Sequence, residues 1–268
     1  LGVFSNFQLK LSDNLYGGKE ALDKIYIVAI DEKSIKELGR WPWNRDLFAE
    51  MIKVLEGTDI IGIDIAFSEP SQNDRNLILA ISGAKNVVLA SQFLSFENIK
   101  GKIKGKEISI PITGRSAYVN MITDADGVTR SVNMNLSRQY NSFAYEIFRL
   151  SEQKKAELSE KFLINFVGEP FTKFSFVDVL KGEVSKEKFK DKIVLIGVTV
   201  PDLHDNYFVP ASKGIAMPGV EIHANIIQTL ITGQYLSYAP KLLIIFLMFI
   251  TTIITSLIIN YFGIIKSG

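Results

Sequence analysis

Between Lys241 and Lys266 about two dozen residues (LLIIFLMFITTIITSLIINYFGII) carry no charge, and as an α-helix they would span roughly 36 Å, more than a ~30 Å hydrocarbon core. A helix that is apolar all round has no face to show to water. Pro240 stands where such a helix begins, a position at which a missing N–H is harmless. Tyr235, Tyr238, Tyr261 and Phe262 flank the run as interfacial aromatics do, while one lysine at each end leaves its orientation open. The sequence therefore predicts a transmembrane helix over residues 239–265, a water-soluble domain over 1–238 and a short remainder at 266–268. The start at Leu1 without methionine, and the stop after Lys266-Ser-Gly, lead us to expect a segment of a longer protein.

The roughly 240 residues ahead of the helix suffice for one large α/β domain or two small ones. Thirty Lys and Arg against 29 Asp and Glu leave a net charge of +1, so no overall field recruits nucleic acid. The chain contains no cysteine, which excludes thiolate metal sites, cysteine nucleophiles and disulfides. Nor does it contain G-x-S-x-G, a Walker loop, H-E-x-x-H or G-x-G-x-x-G.

Residues 25–30 (IYIVAI), 60–67 (IIGIDIAF), 86–90 (NVVLA) and 193–198 (IVLIGV) are continuous apolar runs of strand length, the pattern of strands buried on both faces of a parallel sheet. Helical spacing over 45–56 and 76–82 makes the first part βαβαβ. Further helices are expected over 142–152, near 176–180 and over 220–232, a strand over 161–167, and an exposed excursion over 98–110. Residues 117–136 read as an inserted hairpin turning at Asp124-Ala-Asp-Gly127, where Gly127 supplies a positive φ. The same four residues open like a calcium loop, but the position of its last acidic ligand is Asn135, so the turn is preferred. The predicted class is α/β: a mixed, centrally parallel sheet flanked by helices, with the inserted hairpin and the C-terminal transmembrane helix.

Ligands of open α/β sheets bind outside the carboxyl ends of the strands. Asp31, Asp64 and Glu69 lie at that edge, as do Thr199, Asp202, His204 and Asp205 after the IVLIGV strand. Asp64 stands out because a carboxylate in the driest part of a parallel sheet requires a partner. Two roles stay open for it, a structural pair with an arginine such as Arg45 and a ligand contact. Trp41 and Trp43 flank Pro42 in a loop between strand and helix, either as an aromatic wall for a ligand or as a packed entry to the helix, which Asn44 or Asp46 caps. The two histidines, His204 and His223, have Asp202, Asp205 and Glu221 nearby, but the spacing fits no zinc motif, and Glu221 and His223 face apart on a helix. Neither a metal nor a cofactor is expected. A hydrolase using Asp31, Asp64 and Glu69, and an envelope scaffold without a pocket, are the competing functions.

Four blocks carry a family resemblance. They are IYIVAIDEKSIKELGRWPWNRDLFAEMIKVLEG, IIGIDIAFSEPSQND, DKIVLIGVTVPDLHDNYFVP and MPGVEIHANIIQTLITG, in that order over residues 25–233. Together they resemble the type-2 CHASE domain, the cyclases/histidine kinases associated sensory extracellular module. The resemblance implies an extracytoplasmic sensory domain of a bacterial receptor in the cell membrane. It further implies cyclase or kinase output outside this chain, and no catalysis by the domain itself. It departs at Val198-Thr199-Val200 and at His204, where bulkier side chains narrow the edge. On this basis the expected ligand contacts, to a small molecule or ion of unknown identity, are Asp31, Trp41, Trp43, Arg45, Asp64, Glu69, Thr199, Asp205, Glu221 and His223. Thr251 with Thr255, and Thr252 with Ser256, set small residues four apart in the membrane helix, a spacing that suits a homodimer.

Overall fold

A computed structural model describes residues 19–99, 102–107, 112–136, 140–152, 161–203, 205–210, 214–236 and 241–267. His204, Tyr238 and Pro240 lie outside them. The chain divides into two compact units, Leu1–Tyr235 and Leu236–Gly268.

The first unit begins β1 (Ile25–Ile30), α1 (Glu32–Leu38), α2 (Asp46–Val54), β2 (Ile60–Asp64), α3 (Asp74–Ala84), β3 (Val87–Ser91). An antiparallel pair, β4 (Phe93–Ile99) with β5 (Lys102–Glu107), occupies most of the expected excursion. Then follow β6 (Arg115–Tyr118), β7 (Ser131–Asn133), β8 (Asn135–Leu136), β9 (Tyr140–Asn141), α4 (Phe143–Ser151), β10 (Lys161–Leu163), β11 (Thr172–Ser175) and α5 (Phe176–Leu180). The unit closes with β12 (Ile193–Val198), β13 (Asn206–Tyr207), β14 (Met217–Pro218) and α6 (Gly219–Thr232).

Six strands form one sheet in the order β11-β1-β12-β2-β3-β6, and every pairing in it is parallel. The antiparallel contribution expected of a mixed sheet sits in small separate ribbons. β12, the last of the six in sequence, lies between β1 and β2, with Gly197 opposite Ala29 on one side and Asp64 on the other. Its six residues are all buried, as the unbroken IVLIGV run requires. On one face of the sheet α4 and α6 bury Phe143, Ile147, Ile222 and Ile226; on the other α2, α3 and α5 bury Phe48, Met51, Leu77 and Phe176. The result is a three-layer sandwich.

Two glycines set the spacing between sheet and helices. A Cβ on Gly62 would come within 2.9 Å of Ile147, Leu195 and Phe143, and one on Gly197 would stand 2.6 Å from Val220 Cβ. Gly197→Ala is therefore expected to force α6 away from β12 and to destabilise the fold by about 1–3 kcal/mol, read as a lower midpoint of denaturant unfolding. An unchanged midpoint would show that this contact does not hold α6.

Three polar side chains, which helical periodicity alone would leave unexplained, fix α6. Asn225 Oδ1 accepts from Val167 N at 2.8 Å, Thr229 Oγ1 accepts from Asn165 N at 3.1 Å, and Gln228 brackets the backbone at Glu20 and Leu22. Each satisfies backbone groups that no strand pairs, which is why these residues are buried.

The turn at Asp124–Gly127 forms, with Gly127 N bonded to Asp124 O at 2.9 Å and φ of 81° at Gly127. Ile122 bridges Ser131 antiparallel across it, and β7 goes on to pair with β10. The two acidic side chains of the turn are held by Arg130, which is 1% exposed: Asp126 takes a bidentate contact at 2.9 Å and Asp124 a single one at 2.9 Å. The carboxylates that suggested a calcium loop thus have a guanidinium between them.

The second unit is one helix, α7 (Lys241–Ser267). Its window Leu242–Tyr261 has a mean hydropathy of 2.8 and no buried share, long and apolar enough to cross a membrane. Thr251, Thr252 and Thr255 return their hydroxyls to carbonyls one turn back in the same helix, at 2.7–2.9 Å, so each hydroxyl hydrogen has an acceptor within the helix.

Candidate functional site

Because the six strands run in one direction, their carboxyl ends open on one edge, and there a cavity of about 440 Å³ lies. Asp64 and Ile65 enter it from the end of β2, Gln92 from the end of β3, Val119, Asn120 and Met121 from the end of β6, and Val198 from β12. The segment after β12 adds Leu203, Asp205 and Tyr207; α6 adds Gly219 and His223; and Trp41 comes from the loop between α1 and α2. The volume falls within the usual range for small-molecule pockets.

Asp64 is the chemical centre. Its side chain is 6% exposed, Oδ2 has no hydrogen-bond partner among the described residues, and Oδ1 lies 4.0 Å from His223 Nε2, too far for a hydrogen bond. His223, with a side chain 4% exposed, likewise has Nδ1 without a partner among the described residues. Burial pushes the Asp64 carboxyl well above the usual carboxylate range, and the neighbouring charge of Asp205 pushes it the same way. Burial drives His223 down to about 3, so the imidazole is neutral. Asp205 is raised by burial and held back by a bond from the Tyr207 hydroxyl, which is itself pushed up to about 12 by burial and by the two carboxyls.

Asp205 is seated against the first turn of α6. Gly219 N donates to Asp205 O at 2.9 Å, and a Cβ on Gly219 would stand 2.5 Å from Asp205 Oδ2. Only glycine admits the carboxylate there, where the helix N-terminus favours negative charge.

Trp41, Asp64, Asp205 and His223 line this cavity, whereas the other six expected contacts lie elsewhere. Asp31 caps α1: its Oδ1 accepts from Ser34 N at 2.8 Å and from Ser175 Oγ at 2.9 Å, tying the starts of α1 and α5 together. Trp43 is core, 7% exposed, with Nε1 donating to Gly39 O at 2.9 Å and its ring 5.1 Å from that of Phe176. The Trp41–Pro42 peptide between the two indoles is cis. Arg45 does not reach Asp64; it pairs with Asp74, donates to the Glu69 carbonyl and lies over the Phe67 ring at 5.2 Å. The Glu69 side chain is exposed. Thr199 bonds back to Ile30 O, and Glu221 pairs with Lys173 at 2.6 Å. Asn44 Oδ1 accepts from Asp46 N at 3.0 Å at the entry to α2.

Asp31, Asp64 and Glu69 therefore do not converge as a hydrolytic centre would require. Among the described residues no group of three His, Asp or Glu side chains is placed to hold a metal ion. Tyr207 was not evident from motifs, yet it stands two residues after Asp205, the spacing that puts both on one side of an extended segment.

The family model of the CHASE2 domain matches residues 1–260. Comparison with curated proteins and with solved structures gives no match. Since the family match takes in the α/β unit and most of the apolar helix, the chain belongs to the CHASE2 domain family, a family of sensory extracellular domains.

Proposed function

We propose that residues 1–238 are the extracytoplasmic, ligand-sensing head of a bacterial transmembrane receptor. In this reading α7 is its membrane span, and a cyclase or kinase elsewhere in the full-length receptor supplies the output. The head binds and does not turn over its ligand. The observation that carries this is the cavity itself: buried Asp64 and His223, with Oδ2 and Nδ1 lacking a hydrogen-bond partner among the described residues, beside Asp205 and Trp41, in a chain of a sensory family with an apolar helix of membrane length. A pocket-free scaffold is less well supported, because the cavity is open to polar groups and Asp64 has no arginine partner among the described residues.

α6 is the element suited to transmit occupancy. Its first two turns touch the cavity through Gly219 and His223, and the chain leaves its last turn at Gly233 on the way to α7. A ligand shifts the receptor only as far as it binds one arrangement of these elements better than another.

The absence of cysteine makes the topology directly testable. Gln72→Cys, at an exposed position of the head, is expected to react with a membrane-impermeant maleimide in intact cells, or in cells with only the outer permeability barrier opened. Ser267→Cys is expected to react only after the inner membrane is lysed. Labelling in the reverse pattern would place the head on the cytoplasmic side and sink the proposal.

A further inference from the structure

The cavity at the carboxyl edge of the sheet contains two carboxyl groups and, among the described residues that line it, no lysine or arginine. Arg45, the arginine considered above as a partner for Asp64, is committed to Asp74, and Lys173 to Glu221. Buried carboxyl groups lacking a cation are destabilising in themselves, so they are retained where something else brings the opposite charge. Building on the sensory function proposed for this cavity, we propose that its ligand is a small organic molecule with a protonated primary amine, the ammonium seated between Asp64 and Asp205 and the carbon body against Trp41.

Three observations select this class. An ammonium head is a compact cation that donates hydrogen bonds, and the site offers it two carboxyl groups: Asp64, whose Oδ2 has no partner among the described residues, and Asp205. A bare metal ion fits less well, because no three acidic or imidazole side chains among the described residues are placed around one point. The remaining walls, Trp41 with Met121 and Leu203, suit a carbon skeleton, and the indole adds cation–π attraction near the charge. At about 440 Å³ the space far exceeds one hydrated ion.

Binding of this kind exchanges charge. Among the described residues the titratable groups lining the cavity are Asp64 from β2, Asp205 and Tyr207 from the segment after β12, and His223 from α6, while the ends of β3 and β6 bring neutral Gln92 and Asn120. Without a cation between them, burial and the repulsion of Asp205 favour the protonated form of Asp64. An arriving ammonium makes the ionised form favourable, so the proton leaves to solvent while the ligand keeps its charge.

The test uses the whole chain in detergent or in bilayer discs, titrated calorimetrically with n-pentylamine and phenethylamine at neutral pH. The matched alcohols, the matched carboxylates and calcium serve as the other arms. We expect both amines to bind at least about tenfold more tightly than their alcohols, with the carboxylates not binding. Repeating the titration in buffers of different ionisation enthalpy is expected to show net proton release on amine binding. Asp64→Asn and Gly219→Ala should each weaken amine binding about tenfold or more, and Glu69→Gln should leave it unchanged. Because Asp64→Asn is expected to fold at least as well as the native chain, its loss of binding does not reflect unfolding. If alcohols or carboxylates bind as well as amines and Asp64→Asn abolishes that binding, the amine proposal falls and the sensory cavity stands. If calcium alone binds, the ligand is a metal ion and the proposal falls. If no probe of any charge binds, both the amine class and this cavity as the sensory site are overturned.

Discussion

Arg130→Ala is expected to lower the stability of the α/β unit by about 3–5 kcal/mol, the usual consequence of removing one partner from a buried ion pair. For a domain of this size that is a fall of roughly 6–20 °C in the thermal midpoint, at ~2–4 °C per kcal/mol. The loss arises less from the attraction itself than from what remains, two carboxylates facing each other across a tight turn with their common cation gone. Asp126, whose side chain is 9% exposed, is the one most affected. Its bond from Arg130 holds its carboxyl below the ordinary range, so its contribution is present above the unfolded-state value and lost as pH falls through the folded one. The gap between variant and native chain should accordingly close below about pH 4. Combining Arg130→Met with Asp124→Asn and Asp126→Asn removes the guanidinium together with both turn carboxylates and is expected to recover most of the midpoint. A fall of less than about 1 kcal/mol in Arg130→Ala at pH 7 would show that the cluster contributes no more than a surface pair.

Asp64→Asn is expected to act in the opposite direction and to stabilise the empty domain at neutral and alkaline pH. The folded state raises the Asp64 carboxyl above its unfolded value. Stability linked to it is therefore complete below about pH 4 and declines, by up to ~1.4 kcal/mol per pH unit, as pH rises through the window between the unfolded and folded values. An asparagine of the same shape does not titrate, so the variant escapes that decline. Its thermal midpoint should exceed the native one by about 3 °C or more at pH 8, with the difference vanishing towards pH 4. His223 titrates with the reverse sign: its folded value of about 3 lies below the unfolded one, so its contribution is present above about pH 6.5 and lost on acidification, in both proteins alike. A lower midpoint for Asp64→Asn at pH 8 would mean that the carboxylate is structurally paired, and the binding cavity would lose its main support.

The parts of the fold legible in the sequence are those where burial on two faces leaves an unbroken apolar run. β1, β2, β3 and β12 have such runs, and α5 occupies the expected positions 176–180. The edge strands β6 (RSAY) and β11 (TKFS) have no such run, because each lies open along one side, and their polar residues concealed them. The placement of β12 between β1 and β2 is a pairing across more than a hundred residues, which no local pattern encodes.

The candidate site divides along the same line. A charge inside IIGIDIAF marked Asp64 at once, because the surrounding residues state how dry its position is. Its relation to Arg45 depended on where a flexible side chain points, and Asp74, at the start of α3, has the guanidinium instead. Asp31 carries the sequence signature of a ligand contact and of a helix cap equally, and only the positions of Ser34 and Ser175 distinguish them.

The late arrival of β12 has a consequence for biosynthesis. A chain emerging N-terminus first has β1 and β2 available well before residues 193–198, yet those two strands have no ladder with each other. Until the sixth strand slots between them, both expose unpaired backbone edges of the kind that recruit foreign strands. The nascent module must therefore be kept from premature closure until Ile193–Val198 has been delivered, and a fragment cut before Ile193 is a sheet split down the middle rather than a smaller domain.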